Sequence, residues 1–262
     1  MHPLQDDIAT DPGIAAQADP AGSPRPGATA RIVPAADAPA RASFDPATGP
    51  SEELTATLRE AIAKHGEKAV LLCSFQKEES VLIDELLRLQ DGNAAAGVRI
   101  VTIDTGVLFE ETMQTWREFE RRFGVTIEVQ DASNRAGGSD TPWSGPEHCC
   151  SAAKVAALDR SLKGAEGWIT GIRREQGPTR AGAELIEHDS ARDLFKYNPL
   201  ARWTDRDIWR RINERDLPYN PLHDQGYESI GCAPCTQPGS GREGRWAGLD
   251  KTECGLHVDG VR

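Results

Sequence analysis

An α/β fold built on a mostly parallel central sheet flanked by helices is predicted by three observations. Short, continuous apolar runs recur along the chain, as suits strands buried on both faces. Between them lie segments with apolar residues at helical spacing and recognisable start signals. The two kinds of segment alternate, which is the signature of βαβ units. Ser51 follows Pro50 and precedes Glu52 and Glu53, so a helix starts there and carries Leu54, Leu58 and Ile62 inward. Val70 to Phe75 reads as the first strand and Val81 to Leu89 as the next helix. Val98 to Ile103 is a second strand, and Phe109 to Phe123 a helix bearing Met113, Trp116 and Phe123. Thr126 to Val129 and Trp168 to Ile172 supply two more strands. Thr204 with Asp207 three residues on caps a helix carrying Ile208, Trp209 and Ile212. Beyond Pro218 the Gly- and Pro-rich chain reads as loop, and no internal repeat is present.

The chain of 262 residues divides by composition. Residues 1–48 are crowded with Ala, Pro, Gly and Asp and contain neither Trp nor Tyr, so they are expected to form a disordered leader. Residues 49–240 form the expected folded domain, and residues 241–262 a mobile tail. The formal charge of −11 disfavours nucleic acid and anionic lipid as partners. No stretch reaches the roughly 20 apolar residues that cross a bilayer, and no basic region followed by an apolar run marks a secretory signal. Six cysteines in a chain of this length point to a reducing, cytoplasmic setting in which thiols bind metal or react.

Ligands of open α/β sheets sit at the carboxyl ends of the strands. The first strand runs into a helix through Ser74-Phe75-Gln76-Lys77-Glu78-Glu79-Ser80, which could be an anion site made by backbone N–H groups and the helix dipole or an ordinary strand–helix turn. The glycines and the terminal Gly-Lys-Ser/Thr of a Walker loop are missing. The second strand ends in Ile103-Asp104-Thr105-Gly106, which could face a nucleoside or be a plain turn. Cys149-Cys150 and Cys232-Ala-Pro-Cys235 offer four thiols in two pairs. Their chemistry leaves an iron–sulfur cluster, zinc or free thiols open, with adjacent cysteines awkward for a compact tetrahedral zinc site. Cys73 lies in a buried strand and reads as a small hydrophobe.

Together these segments resemble the adenine nucleotide α-hydrolase superfamily, and specifically its sulfonucleotide reductases. The resemblance spans Ser51 to the C-terminus. Phe75 and Gln76 stand where the related ATP pyrophosphatases carry two glycines, which argues against an ATP-splitting ligase. Isoleucine replaces the usual leucine in Ile103-Asp104-Thr105-Gly106. The resemblance implies a [4Fe–4S] cluster on Cys149, Cys150, Cys232 and Cys235, with Lys154 linking cluster and substrate. Residues 151–153 are less basic than in many relatives. Glu253-Cys254-Gly255-Leu256-His257 is similar to the family's catalytic signature, implying Cys254 as nucleophile and His257 as a substrate contact. Further substrate contacts are implied at Ser74, Phe75, Gln76, Asp104, Thr105, Gly106 and Gly171, and at the arginines Arg173, Arg174, Arg242 and Arg245.

The activity so implied is reduction of adenosine 5′-phosphosulfate (APS) to sulfite and AMP in sulfate assimilation. A Cys254 S-sulfonate would form and be resolved by thioredoxin. Relatives imply a dimer or tetramer. Rival readings are reduction of the 3′-phosphorylated nucleotide (PAPS), a zinc-stabilised nucleotide-binding module without turnover, and a tRNA sulfur transferase. The acidic charge and missing glycine-rich loop count against the last.

Overall fold

The computed structural model describes residues 51–90, 97–133 and 152–246. The predicted leader, Cys149, Cys150, Cys254 and His257 lie outside the described residues. Among the described residues, six strands form one sheet in the order β3-β2-β1-β4-β6-β5. They are β1 (Ala69–Leu72), β2 (Arg99–Asp104), β3 (Glu128–Asp131), β4 (Gly167–Ile169), β5 (Ile186–Asp189) and β6 (Leu194–Tyr197). Every pairing is parallel except β5 with β6. The helices are α1 (Ser51–His65), α2 (Lys77–Leu89), α3 (Glu110–Phe123), α4 (Ala152–Ser161) and α5 (Asp205–Arg215).

Strand side chains alternate between faces, and that alternation divides the core into two layers. Leu71 pairs in register with Ile100 and Ile169, and all three join Leu54, Leu58, Leu82, Phe119 and Trp209 in one apolar cluster. Val70 and its neighbour Trp168 point the other way, onto Ala157, Leu158 and Leu162 of the α4 region. The α/β prediction is therefore right, and for the predicted reason: both faces of the parallel strands are covered.

Boundaries differ from the sequence reading where side chains override periodicity. The first strand stops at Leu72 instead of Phe75, because Phe75 adopts a left-handed backbone at φ 61°. The helix after it starts at Lys77, four residues before the predicted Val81. Gln76 and Glu79 close a reciprocal capping box there. The Trp168 strand stops at Ile169, and the third strand is displaced to Glu128–Asp131. Thr204 caps α5 with Asp207 as predicted. The hairpin β5–β6 was not anticipated. No described helix is long and apolar enough to cross a membrane.

Candidate active site

Strand β1 sits between β2 and β4, so the chain leaves it on one side toward β2 and later returns on the other as β4. Such a reversal opens a crevice at the carboxyl ends of the strands. A cleft of about 970 Å³, counting its open mouth, occupies that position. The β1–α2 turn, the ends of β2 and β4, and the segment running from Ile230 to Arg245 supply its walls.

The β1–α2 turn is held under strain. A bulky residue at positive φ is rare, and it persists where packing over-determines it. The Phe75 ring is buried, stacks on Trp116 of α3 at 5.4 Å between centroids and meets Phe119 edge-on at 5.8 Å. Glu79 Oε2 spans the strained residue, accepting hydrogen bonds from the Gln76 backbone N–H (2.9 Å) and the Ser74 hydroxyl (3.2 Å). Gln76 Oε1 accepts from the Ile230 N–H at 2.9 Å, which ties this turn to the segment entering Cys232.

The carboxylates behind the turn are strongly perturbed. Burial would raise Glu78, but Arg173 and then Lys77 draw it down to about 2. Burial, reinforced by the charge of Glu78, pushes Glu79 up to about 8. Gly171 lets the end of β4 approach both: a Cβ there would sit 2.8 Å from Glu79 Oε1 and 2.9 Å from Glu78 Cβ.

Of the predicted substrate residues, Ser74, Phe75, Gln76, Lys154, Gly171, Arg242 and Arg245 line the cleft. Arg245 is buried, donates to Ser229 Oγ (3.3 Å) and the Ile230 carbonyl (3.1 Å), and lies 4.6 Å from the Trp246 ring centre. A Cβ on Gly231 would come within 2.5 Å of its guanidinium carbon, so a side chain there would displace the guanidinium. Lys154 belongs to α4 and lines the cleft.

Arg173 and Arg174 do not line the cleft. The Arg173 side chain is buried against Glu78 (2.9 Å), Glu175 (3.2 Å) and Asp205 (3.3 Å). Arg174 turns to the Ala183 carbonyl and Glu184. Asp104, Thr105 and Gly106 also sit outside the lining. Asp104 Oδ1 accepts the Gly106 N–H at 2.7 Å, closing its own turn, with Gly106 at φ 73°. Thr105 Oγ1 lies 3.2 Å from Cys232 Sγ.

Arg180 is a residue that sequence reasoning missed. It lines the cleft from a short turn, Pro178–Arg180, and donates to Gln176 Oε1 at 2.6 Å. The Gly177-Pro178 pair was the available signal, since it marks a turn in the segment that follows β4.

Cys232 and Cys235 bracket another short turn and are both buried. Among the described residues no group of three or more His, Cys, Asp or Glu side chains is placed to hold a metal ion. Two buried thiols separated by two residues, with a hydroxyl against one sulfur, fit soft metal ligation as half of a four-thiolate set.

Comparison with known proteins agrees with this architecture. Residues 68–238 match the family model described as the phosphoadenosine phosphosulfate reductase domain. A relative from Bacillus pumilus, named adenosine 5′-phosphosulfate reductase, is 42% identical over 76% of this chain and 88% of its own. One from Gloeobacter violaceus, named phosphoadenosine 5′-phosphosulfate reductase, is 41% identical over 78% of this chain and 88% of its own. The solved structure of a phosphoadenylyl-sulfate reductase from Candida auris superposes with a TM-score of 0.58 at 23% identity, covering 69% of this chain and 88% of that one. That likeness concerns the fold. With a cleft at the strand reversal and a family match across most of the described domain, the chain belongs to the phosphoadenosine phosphosulfate reductase domain family.

Proposed function

We propose that this enzyme reduces APS to sulfite and AMP. The observation that carries the reading is the convergence of Lys154, Arg180, Arg242 and Arg245 on one cleft in a chain whose net charge is −11. An anionic substrate needs such a local reversal of field, and arginine suits it by staying charged and binding oxyanions through a planar fork.

Cys254 is the proposed nucleophile. Its thiolate attacks the sulfate sulfur, the bond from that sulfur to the bridging oxygen breaks, and AMP departs with the oxygen and the electron pair. A Cys254 S-sulfonate remains. Thioredoxin, an external dithiol, then attacks Cys254 Sγ. Sulfite leaves with the electron pair of the S–S bond, and the second thiol of the dithiol releases Cys254 as its own disulfide forms. The two electrons thus come from the dithiol. His257 contacts the substrate, while the arginines and Lys154 offset the charge of the dianion as the thiolate approaches.

Cys149, Cys150, Cys232 and Cys235 are proposed to hold a [4Fe–4S] cluster, which when bound supplies a fixed electrostatic element beside the cleft. The Thr105 hydroxyl braces the Cys232 sulfur at 3.2 Å, so Thr105 serves this side of the site instead of contacting nucleotide.

Cys254→Ser tests the mechanism. It is expected to bind AMP and retain iron and sulfide, yet to form no S-sulfonate detectable by mass spectrometry. Sulfite production at the wild-type rate would remove Cys254 from the reaction. A second reading, reduction of PAPS, is favoured by the name of the Gloeobacter relative. Direct competition between the two nucleotides decides it, with APS expected to have the higher kcat/KM.

A further inference from the structure

Two adjacent carboxylates, Glu78 and Glu79, line a cleft that otherwise gathers cations. Both are almost fully buried, at 3% and 5% exposure, in the first turn of α2. Two negative charges there would oppose any anionic ligand.

We propose that Glu79 serves nucleotide binding as a neutral carboxylic acid, shaping the Ser74–Gln76 turn without adding negative charge, while Arg173 cancels the charge of Glu78. This rests on the reading of the cleft as a site for an anionic nucleotide. The geometry assigns the two carboxyls different partners. Glu78 Oε1 receives the Arg173 Nε–H at 2.9 Å and the Gln176 amide at 3.2 Å. Among the described residues Glu79 has no cation as a hydrogen-bond partner; its Oε2 accepts from the Gln76 N–H and the Ser74 hydroxyl. Its Oε1 lies toward Gly171, where a Cβ would stand 2.8 Å away.

The surroundings keep this titration separate from others. On the β1 side, burial and then the charge of Glu79 push the Cys73 thiol well above its ordinary value. His223 is held down to about 4 by burial and then by Lys77, so it is neutral near pH 7 and above. Lys77 is engaged with Asp205 of α5. Across the cleft stand Lys154, Arg180, Arg242 and Arg245, and arginine keeps its charge throughout the range of interest.

The sign follows from linkage. Glu79 is raised to about 8, so it is protonated at pH 7 and becomes an anion as the pH rises through that value. A bound phosphate disfavours this ionisation, and affinity must fall accordingly. A ligand that binds only the protonated form loses about tenfold in affinity between pH 7 and pH 9. AMP is a suitable probe because a phosphate monoester, with its second pKa about 6, is already dianionic over this interval.

The test is calorimetric titration of AMP from pH 6.5 to pH 9.5 on anaerobically purified full-length protein with its metal content intact. Wild type is expected to show Kd rising about tenfold between pH 7 and pH 9, setting in as Glu79 titrates. Glu79→Gln, which can keep the capping box, should be flat within about twofold. Glu78→Gln removes the neighbouring charge and should move the rise to lower pH. A flat wild-type profile overturns the inference. So does a rise that survives in Glu79→Gln, which would assign the titration to another group such as the Cys254 thiol. Failure to bind AMP at any pH would instead sink the nucleotide reading on which the inference rests.

Discussion

Two buried arginines, Arg173 after β4 and Arg245 at the end of the segment that walls the cleft, occupy different situations. Arg173 is buried among three carboxylates, on α2, on its own loop and at the start of α5. Arg245 is also buried, yet its partners among the described residues are a hydroxyl, a carbonyl and an aromatic face. A guanidinium surrounded by acids is neutralised and joins elements together. One held by neutral groups retains its field for an incoming anion. The partner set, more than burial or residue type, separates a structural arginine from one available to a ligand.

The strongest way to break this comparison is Arg173→Met. Removing one member of a buried ion pair typically costs about 3–5 kcal/mol, because the remaining charge is left uncompensated. Glu78 would be stranded in that state. Urea unfolding should report a loss of this order, and Glu78→Gln in the same chain should recover a substantial part of it. A substrate-contacting arginine would give no such rescue. If the double variant is as unstable as Arg173→Met alone, the pairing with Glu78 is not what Arg173 contributes.

These partners explain how far the sequence could be read. The α/β class, the capped α5 and the cleft-forming turns were legible, because apolar periodicity and caps are local signals. The hairpin β5–β6 was not. Its strands read Ile186-Glu187-His188-Asp189 and Leu194-Phe195-Lys196-Tyr197, short and charged at the sheet edge, with Lys196 paired across to Glu187. β5 is the edge strand and β6 its inner neighbour, and both are only partly buried along their middle, so neither shows the continuous apolar run that revealed β1 and β2. Phe75 was legible as a departure from glycine, but its left-handed backbone depends on Trp116 and Phe119 some forty residues away. One oxygen of the Asp104 carboxylate closes the residue's own turn on the Gly106 N–H. In each case a side chain's availability was decided by residues distant in sequence or by its own turn.

Arg245→Ala probes the other half of the comparison. A hydrogen bond to a charged group is worth about 1.5–3 kcal/mol, so affinity for the nucleotide should fall roughly ten- to hundredfold. Stability should change less than in Arg173→Met, because among the described residues no buried carboxylate loses its partner. Arg245→Lys should recover only part of the binding, since an ammonium cannot reproduce the planar fork that rests over Gly231 and Trp246. Calorimetry with AMP and urea unfolding on the same variants would show whether binding and stability separate as expected. An Arg245→Ala protein that binds normally but unfolds early would place this arginine with Arg173.

The smallest effect is expected at Arg174, the residue adjacent to the buried one. Its guanidinium is about one-third exposed and meets Glu184, itself 63% exposed, at 3.0 Å, while its Nε–H reaches the Ala183 carbonyl at 2.6 Å. Exposed ion pairs contribute about 0–1 kcal/mol. Arg174→Ala should therefore cost no more than about 1 kcal/mol in urea unfolding, and its kcat/KM should stay within about twofold of wild type. The neighbouring substitutions Arg173→Met and Arg174→Ala would then differ severalfold in their stability cost, although the two residues share type, loop and motif. A tenfold loss of kcat/KM in Arg174→Ala with unchanged stability would reverse that assignment. It would mean that the loop after β4 turns this arginine toward substrate during turnover, and that Glu184 holds it only in the unliganded enzyme.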